Sequence, residues 1–195
     1  MKKVILSVLV FIGTQTLLGQ ETSKNDSNFG IKGGLNYSTV TKGDFDEGPD
    51  PRTSFYIGFY GEIPLVEKVF SIQPEFIYSR QGFENNFTIL GNNYKSTYKI
   101  DYINVPILAK IYLGKTFAIE AGPQFGVKIN ENIETNNSSS DRNEVNSFDT
   151  ALAAGVSLNF DSMFISGRYT YSLNEVVKDS DAKNSVFQVG IGFKF

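Results

Sequence analysis

The sequence predicts an all-β fold, an eight-stranded antiparallel up-and-down transmembrane β-barrel with long extracellular loops and short periplasmic turns. Three observations predict it. Eight segments of about ten residues alternate apolar and polar side chains with a period of two, the pattern of tilted strands that cross a bilayer. The connections between these segments alternate long and short. The chain also opens on a segment laid out like an export signal.

Residues 1–19 read as a cleaved signal peptide. Lys2 and Lys3 supply its charge, Val4 to Ile12 its apolar stretch, and Gly13 to Gly19 a smaller, more polar approach to a cut. That apolar stretch is short for a helix spanning a ~30 Å hydrocarbon core. Leu17 stands where a small residue favours cleavage, and an uncleaved anchor is the competing reading. Residues 20–28 form a short polar lead, and 29–195 the barrel domain.

The first alternating segment runs from Phe29 to Tyr37, with Phe29, Ile31, Leu35 and Tyr37 on one face and Lys32 and Asn36 on the other. Phe55–Ile63 follows, opposing Phe55, Ile57, Phe59 and Ile63 to Tyr56, Tyr60 and Glu62. Phe70–Ser79 opposes Ile72, Phe76 and Tyr78 to Gln73 and Glu75. Tyr102–Tyr112 sets Ile103, Val105, Ile107 and Ile111 against Asn104 and Lys110. Phe117–Lys128 sets Ile119, Phe125 and Val127 against Glu120, Gln124 and Lys128. Leu152–Phe160, Ile165–Leu173 (with Arg168 on its polar face) and Phe187–Phe195 complete the set. Thr39–Arg52, Glu84–Ser96, Asn130–Ser147 and Glu175–Asn184 read as long loops. Pro64–Val69, Gly114-Lys115 and Asp161-Ser162 read as short turns. The turn at Gly114 needs one extra residue, assigned to Leu113, to keep its flanking faces in phase. Pro74, Pro106 and Pro123 fall inside strands, where a missing N–H breaks a ladder bond, and are expected to mark bulges or bends.

A period of two does not say which face is inside. A soluble barrel turns the apolar face inward. Here the polar face carries many small residues (Gly30, Gly34, Gly155, Ser157, Gly190), which suits a narrow interior, and the apolar face carries Phe or Tyr near strand ends, as aromatic girdles do. Arg168 lies near the middle of its strand, and facing lipid there costs about 2–4 kcal/mol. The polar face is therefore expected to line the lumen.

A chain of 195 residues suits one domain, and 41% hydrophobic with 14% aromatic residues is too apolar for disorder. There is no cysteine and no histidine. Disulfides, thiol nucleophiles, Cys-anchored lipid and the usual general base and metal ligand are thereby excluded. The net charge is −3, with no basic tract, so nucleic acid is not an expected partner.

Phe29-Gly-Ile-Lys-Gly-Gly-Leu-Asn36, Ile72-Gln-Pro-Glu-Phe-Ile-Tyr-Ser79, Tyr102-Ile-Asn-Val-Pro-Ile-Leu-Ala-Lys110 and Val189-Gly-Ile-Gly-Phe-Lys-Phe195 resemble the small outer-membrane β-barrel ("porin family", PorT-like) proteins of Bacteroidota. The resemblance spans essentially the whole mature chain. It implies a transmembrane barrel in the bacterial outer membrane, surrounded by lipid; the terminal Phe195 resembles the signal read by the barrel assembly machinery, the expected partner during insertion. It carries no catalytic motif, and one branch of the family serves protein secretion.

The polar face gathers Lys32, Glu62, Glu75, Lys110, Glu120, Lys128, Arg168 and Lys194. Unpaired charge in a low-dielectric interior is costly, so these are expected to neutralise one another in a lumen network built on Arg168, Glu75, Lys110 and Glu120. A narrow polar conduit and a glycosidase-like carboxylate pair are the sharper alternatives. The acidic clusters Asp44, Asp46, Glu47, Asp50 and Glu131, Glu134, Asp141, Glu144 lack the spacing of an EF-hand and read as solvated loops. No metal or cofactor is expected. The expected role is non-enzymatic, structural or through loop contacts with an envelope protein. The alternatives are a porin-like channel for small solutes and an accessory subunit of an envelope or secretion complex.

Overall fold

Each alternating segment forms a strand in the computed structural model, which describes residues 28–41, 49–89, 92–135, 138–140, 145–176 and 181–195. In chain order the strands are β1 (Asn28–Val40), β2 (Asp50–Val66), β3 (Phe70–Ile89), β4 (Asn92–Leu113), β5 (Phe117–Thr135), β6 (Ser138–Ser140), β7 (Phe148–Asn159), β8 (Met163–Ser172) and β9 (Asn184–Lys194). The expected signal peptide, and all of the polar lead except its last residue, lie outside the described residues. That last residue, Asn28, belongs to β1 and pairs with Glu62.

Eight strands close a ring. Each is antiparallel to its neighbours, β4 pairs with β5, and β1 joins β9 through the register Gly30↔Lys194 to Val40↔Asn184. Closure pairs both edges of every strand around the ring itself. The short β6 pairs with Ile133–Thr135 of β5, inside a stretch the sequence assigns to a loop.

The inside and outside follow from exposure. Leu35, Ile57 and Phe59 are 60%, 59% and 53% exposed, whereas Lys32, Glu75 and Arg168 are 3%, 3% and 2% exposed. A water-soluble protein has the opposite arrangement. The interior is narrow enough to require missing side chains: a Cβ on Gly190 would stand 2.1 Å from the Tyr56 hydroxyl and 2.4 Å from the Gly33 carbonyl oxygen.

Several sequence expectations are corrected. Glu84–Ser96 is a hairpin, with β3 and β4 paired without a break from Ile77↔Asn104 to Ile89↔Asn92. Asn130–Thr135 continues β5 against Ser96–Asp101. Consequently β3, β4 and β5 run for 20, 22 and 19 residues against 10 for β8. Nine residues beyond Arg80 project roughly 30 Å along the strand. Their outer face carries Arg80, Lys99 and Glu134 in place of the apolar band, so hydropathy hides strands that backbone pairing maintains. Thr39–Val40 and Asp50–Arg52 likewise belong to β1 and β2.

Pro74, Pro106 and Pro123 do not shift the register. Pairing is interrupted on one side of each, opposite Gly61, Glu75 and Ile107, and continues on the other side as Pro74↔Ile107, Pro106↔Gln124 and Pro123↔Leu152. That is what loss of one N–H does. The register shifts fall instead between Pro51 and Tyr56, Pro64 and Val66, and Asp101 and Tyr102. At Gly114 the additional turn residue is Thr116 and not Leu113, since Leu113 pairs with Phe117; Gly114 takes φ 89°, open to glycine without strain. Asp161-Ser162 is a two-residue turn, closed by Phe160 N–H donating to Met163 C=O at 2.8 Å.

Candidate functional site

Among the described residues, buried charge concentrates in the lumen, which is built in layers. At mid-depth, Arg168 of β8 reaches across to Glu75 of β3 and sideways to Glu120 of β5. Its Nη1 and Nη2 donate to the two Glu75 oxygens at 2.7 and 2.8 Å, and its Nε and Nη2 donate to Glu120 Oε1 at 2.8 and 2.6 Å. A planar fork of donors suits two carboxylates at once. Lys32 of β1 adds a second cation, 3.1 Å from Glu75. Two cations and two carboxylates make this layer neutral, the condition under which buried ions are tolerated.

Lys110 does not join that layer. It is the cross-strand partner of Glu120, yet its Nζ lies 3.5 Å from Glu62 and donates to Gln73 Oε1 and Asn159 Oδ1 at 3.2 and 3.1 Å. Glu62 also accepts from Tyr112 OH and from Ser71 Oγ. Gln73 bridges the two layers, because its Nε2 donates to Glu75 at 2.6 Å while its Oε1 accepts from Lys110. Phe164 separates the two ammonium groups, 5.7 Å from Lys32 and 5.2 Å from Lys110, and meets Tyr60 edge-on. Of the four residues expected to form one network, three converge directly and Lys110 belongs to a second cluster with Glu62. Lys32 and Glu62 are the partners that parity places inward without saying whom they meet.

Above the charged layer lies an amide and hydroxyl layer. Asn36 Nδ2 donates to Ser79 Oγ and Arg80 C=O at 3.0 and 2.6 Å, and Asn36 Oδ1 accepts from Gln188 at 2.9 Å. The long-loop end is then closed by an apolar cluster of Val40, Phe83, Ile100, Tyr102, Val145, Val176 and Ala182. Backbone bonds hold these loop segments together: Asn146 N–H to Val176 C=O and Val176 N–H to Ala182 C=O, both 2.8 Å. At the short-turn end two clefts of about 760 and 510 Å³ share Tyr112 and Lys115; Glu62 borders the larger and Asn159 the smaller.

No group of three or more Asp or Glu among the described residues is placed to hold a metal ion. Asp50 lies in β2 and Glu131 and Glu134 in β5, where Lys128 and Lys99 pair with the latter two. Asp44, Asp46, Glu47, Asp141 and Glu144 lie outside the described residues.

An apolar exterior around a neutralised polar interior, closed so that no backbone edge faces hydrocarbon, is the form a sheet takes when its solvent is lipid. The outer membrane protein beta-barrel domain family matches residues 18–178. The chain belongs to this family. It is a small bacterial outer-membrane β-barrel. Among solved structures it is similar to Ail, the attachment invasion locus protein of Yersinia pestis, at 18% identity over 87% of this chain and 99% of that one, with a TM-score of 0.52. It is also similar to Neisserial surface protein A, at 12% identity over 86% and 97%, with a TM-score of 0.60. At these identities the likeness is one of fold. No curated protein matches the chain.

Proposed function

We propose that this barrel is non-enzymatic and closed, with a side-chain-filled lumen, and acts in the cell envelope as a structural element or through contacts made by its long-loop end. The observation that carries the reading is the Arg168 fork, which ties β8 to β3 and β5 across the midplane at 2.6–2.8 Å. An eight-stranded barrel has an interior only wide enough for side chains to fill, and the apolar cluster of Phe83, Ile100 and Val176 adds a second closure. Glu75 and Glu120 are both committed to Arg168, which leaves neither as a free acid or base.

Outer-membrane barrels keep short turns in the periplasm and longer loops outside. On that rule the β3–β5 wall and the apolar cap face the exterior, and Phe195 the periplasm. The reading includes export with cleavage after Gly19, insertion by the barrel assembly machinery, and the finer resemblance to PorT-like proteins carried by Tyr102–Lys110. Purified protein in planar bilayers is expected to show no steady conductance. A well-defined open channel in the wild type would refute the reading in favour of a solute pore.

A second role, as accessory subunit of an envelope complex, is favoured by the wall itself. Its outer face pairs Arg80 with Asp101 at the upper edge of the apolar band, where Arg80 stands over the Phe55 ring, and Lys99 with Glu134 and Lys95 with Glu84 beyond it. Such a polar sheet suits a protein partner better than lipid. Stable co-purification of another envelope protein, lost when residues 84–96 are shortened to a tight turn, is the expected sign.

A further inference from the structure

Every buried carboxylate of the lumen described so far has a cation beside it, and Asp149 does not. It is 4% exposed at the inward face of β7, and among the described residues no Lys or Arg forms an ion pair with it. Its Oδ2 accepts from Ser172 Oγ at 3.0 Å, and its Oδ1 has no hydrogen-bond partner. Two further buried groups, Tyr102 OH and Thr170 Oγ1, are also without partners, at 1% and 4% exposure.

The fold brings these groups to one side of the upper lumen. A Cβ on Gly126 would lie 2.6 Å from Asn104 Oδ1, 3.5 Å from Asp149 Cβ and 3.6 Å from Tyr102 Cδ1, so three side chains close over the same glycine. Gly126 is the cross-strand partner of both Asn104 and Asp149. Thr170 stands two residues before Ser172 on the same inward face of β8 and pairs with Ala153. The neighbours are small, with Ala151 and Ala153 the next inward residues of β7. The site lies between the Arg168 layer below and the apolar cap above.

We propose that Asp149, Tyr102 and Thr170, with Ser172 and Asn104, bind a small monovalent cation of the sodium class inside the closed barrel. An isolated buried carboxylate must be neutralised. A proton on Asp149 neutralises it but leaves most of the surrounding oxygens without a partner. A cation satisfies carboxylate, phenol and hydroxyl oxygens together, with their hydrogens turned outward. Oxygen donors select hard cations. A single carboxylate balances one positive charge, and a divalent ion would leave an uncompensated charge in a low dielectric.

The test uses the mature chain refolded in detergent micelles in sodium chloride, potassium chloride or choline chloride at equal ionic strength and neutral pH, with unfolding followed by circular dichroism. The thermal midpoint is expected to rise saturably with sodium, by roughly 3–6 °C per tenfold increase above Kd, and not with choline. Asp149→Asn is expected to abolish the sodium dependence. Should that variant not fold, Thr170→Val is expected to move the response to higher sodium concentration. Equal midpoints in sodium and choline, or an unchanged sodium response in Asp149→Asn or Thr170→Val, would overturn the proposal. So would an infrared band of a protonated carboxylic acid in the sodium-loaded wild type that disappears in Asp149→Asn, since that identifies a proton as the neutralising group.

Discussion

Arg168→Ala removes four hydrogen bonds and the cation that two buried carboxylates share. The losses are unequal. Glu75 keeps Lys32 at 3.1 Å and the Gln73 amide at 2.6 Å, whereas Arg168 is the cation that contacts Glu120. Breaking one partner out of a buried ion pair costs about 3–5 kcal/mol when the remaining charge persists. Entry of water into the space left by the guanidinium lowers the measured loss toward the bottom of that range. With a urea m-value of about 1–3 kcal/mol/M, the midpoint should fall by roughly 1–3 M. The assay is reversible unfolding in urea after refolding into lipid vesicles, read by the heat-modifiable shift on unheated gels. The second substitution discriminates the cause. Glu120→Gln in the Arg168→Ala background should recover more stability than Glu75→Gln, because Glu75 still needs its charge to neutralise Lys32. Arg168→Lys should fall between wild type and alanine, since an ammonium lacks the planar fork. A midpoint for Arg168→Ala within error of wild type, or full recovery by Glu75→Gln alone, would show that the fork does not govern stability.

Gly190→Ala should sharply lower the yield of folded barrel, as its Cβ meets a backbone oxygen as well as Tyr56 OH; Tyr56→Phe should not restore it, and Gly61→Ala, whose nearest atom lies 4.0 Å away, should fold normally in the same refolding assay. Asp101 lies above the apolar band. Burial acts to raise its pKa, but hydrogen bonds from Arg80 and Asn130 outweigh that and hold it below the usual carboxylate range. The stabilisation from this depressed pKa is present above the unfolded value and is lost as pH falls through the folded one. The difference in urea midpoint between wild type and Asp101→Asn should therefore be full at pH 7 and vanish on strong acidification. A pH-independent difference would remove Asp101 as its source. Phe195 donates its N–H to Phe29 C=O at 2.8 Å, and the residue is 76% exposed beside the closing seam. Deleting it should lower insertion in cells more than it lowers the stability of barrels refolded in detergent, as measured by membrane fractionation alongside urea unfolding.

The sequence by itself determined the strands and their faces. Ile31, Ile57, Val105 and Ile191 alternate with Lys32, Tyr56, Asn104 and Gly190 because lipid lies on one side of the wall and side chains on the other. Parity alone therefore put Arg168, Glu75 and Glu120 into one interior. That reading stopped where the lipid stops. Beyond Arg80 and below Ile100 nothing demands an apolar outer face, so the β3–β4 hairpin has the composition of a loop, although its backbone ladder continues to Ile89↔Asn92. Tertiary structure also decided which charges meet. Arg168 and Glu75 are 93 residues apart and face each other across the lumen, at a depth set by how the strands stagger around the ring. No local pattern records that stagger. It assigned Lys110 to Glu62 instead of its own cross-strand neighbour, gathered Phe83, Ile100, Val145 and Val176 into a cap from four separate segments, and left Asp149 with no Lys or Arg beside it among the described residues.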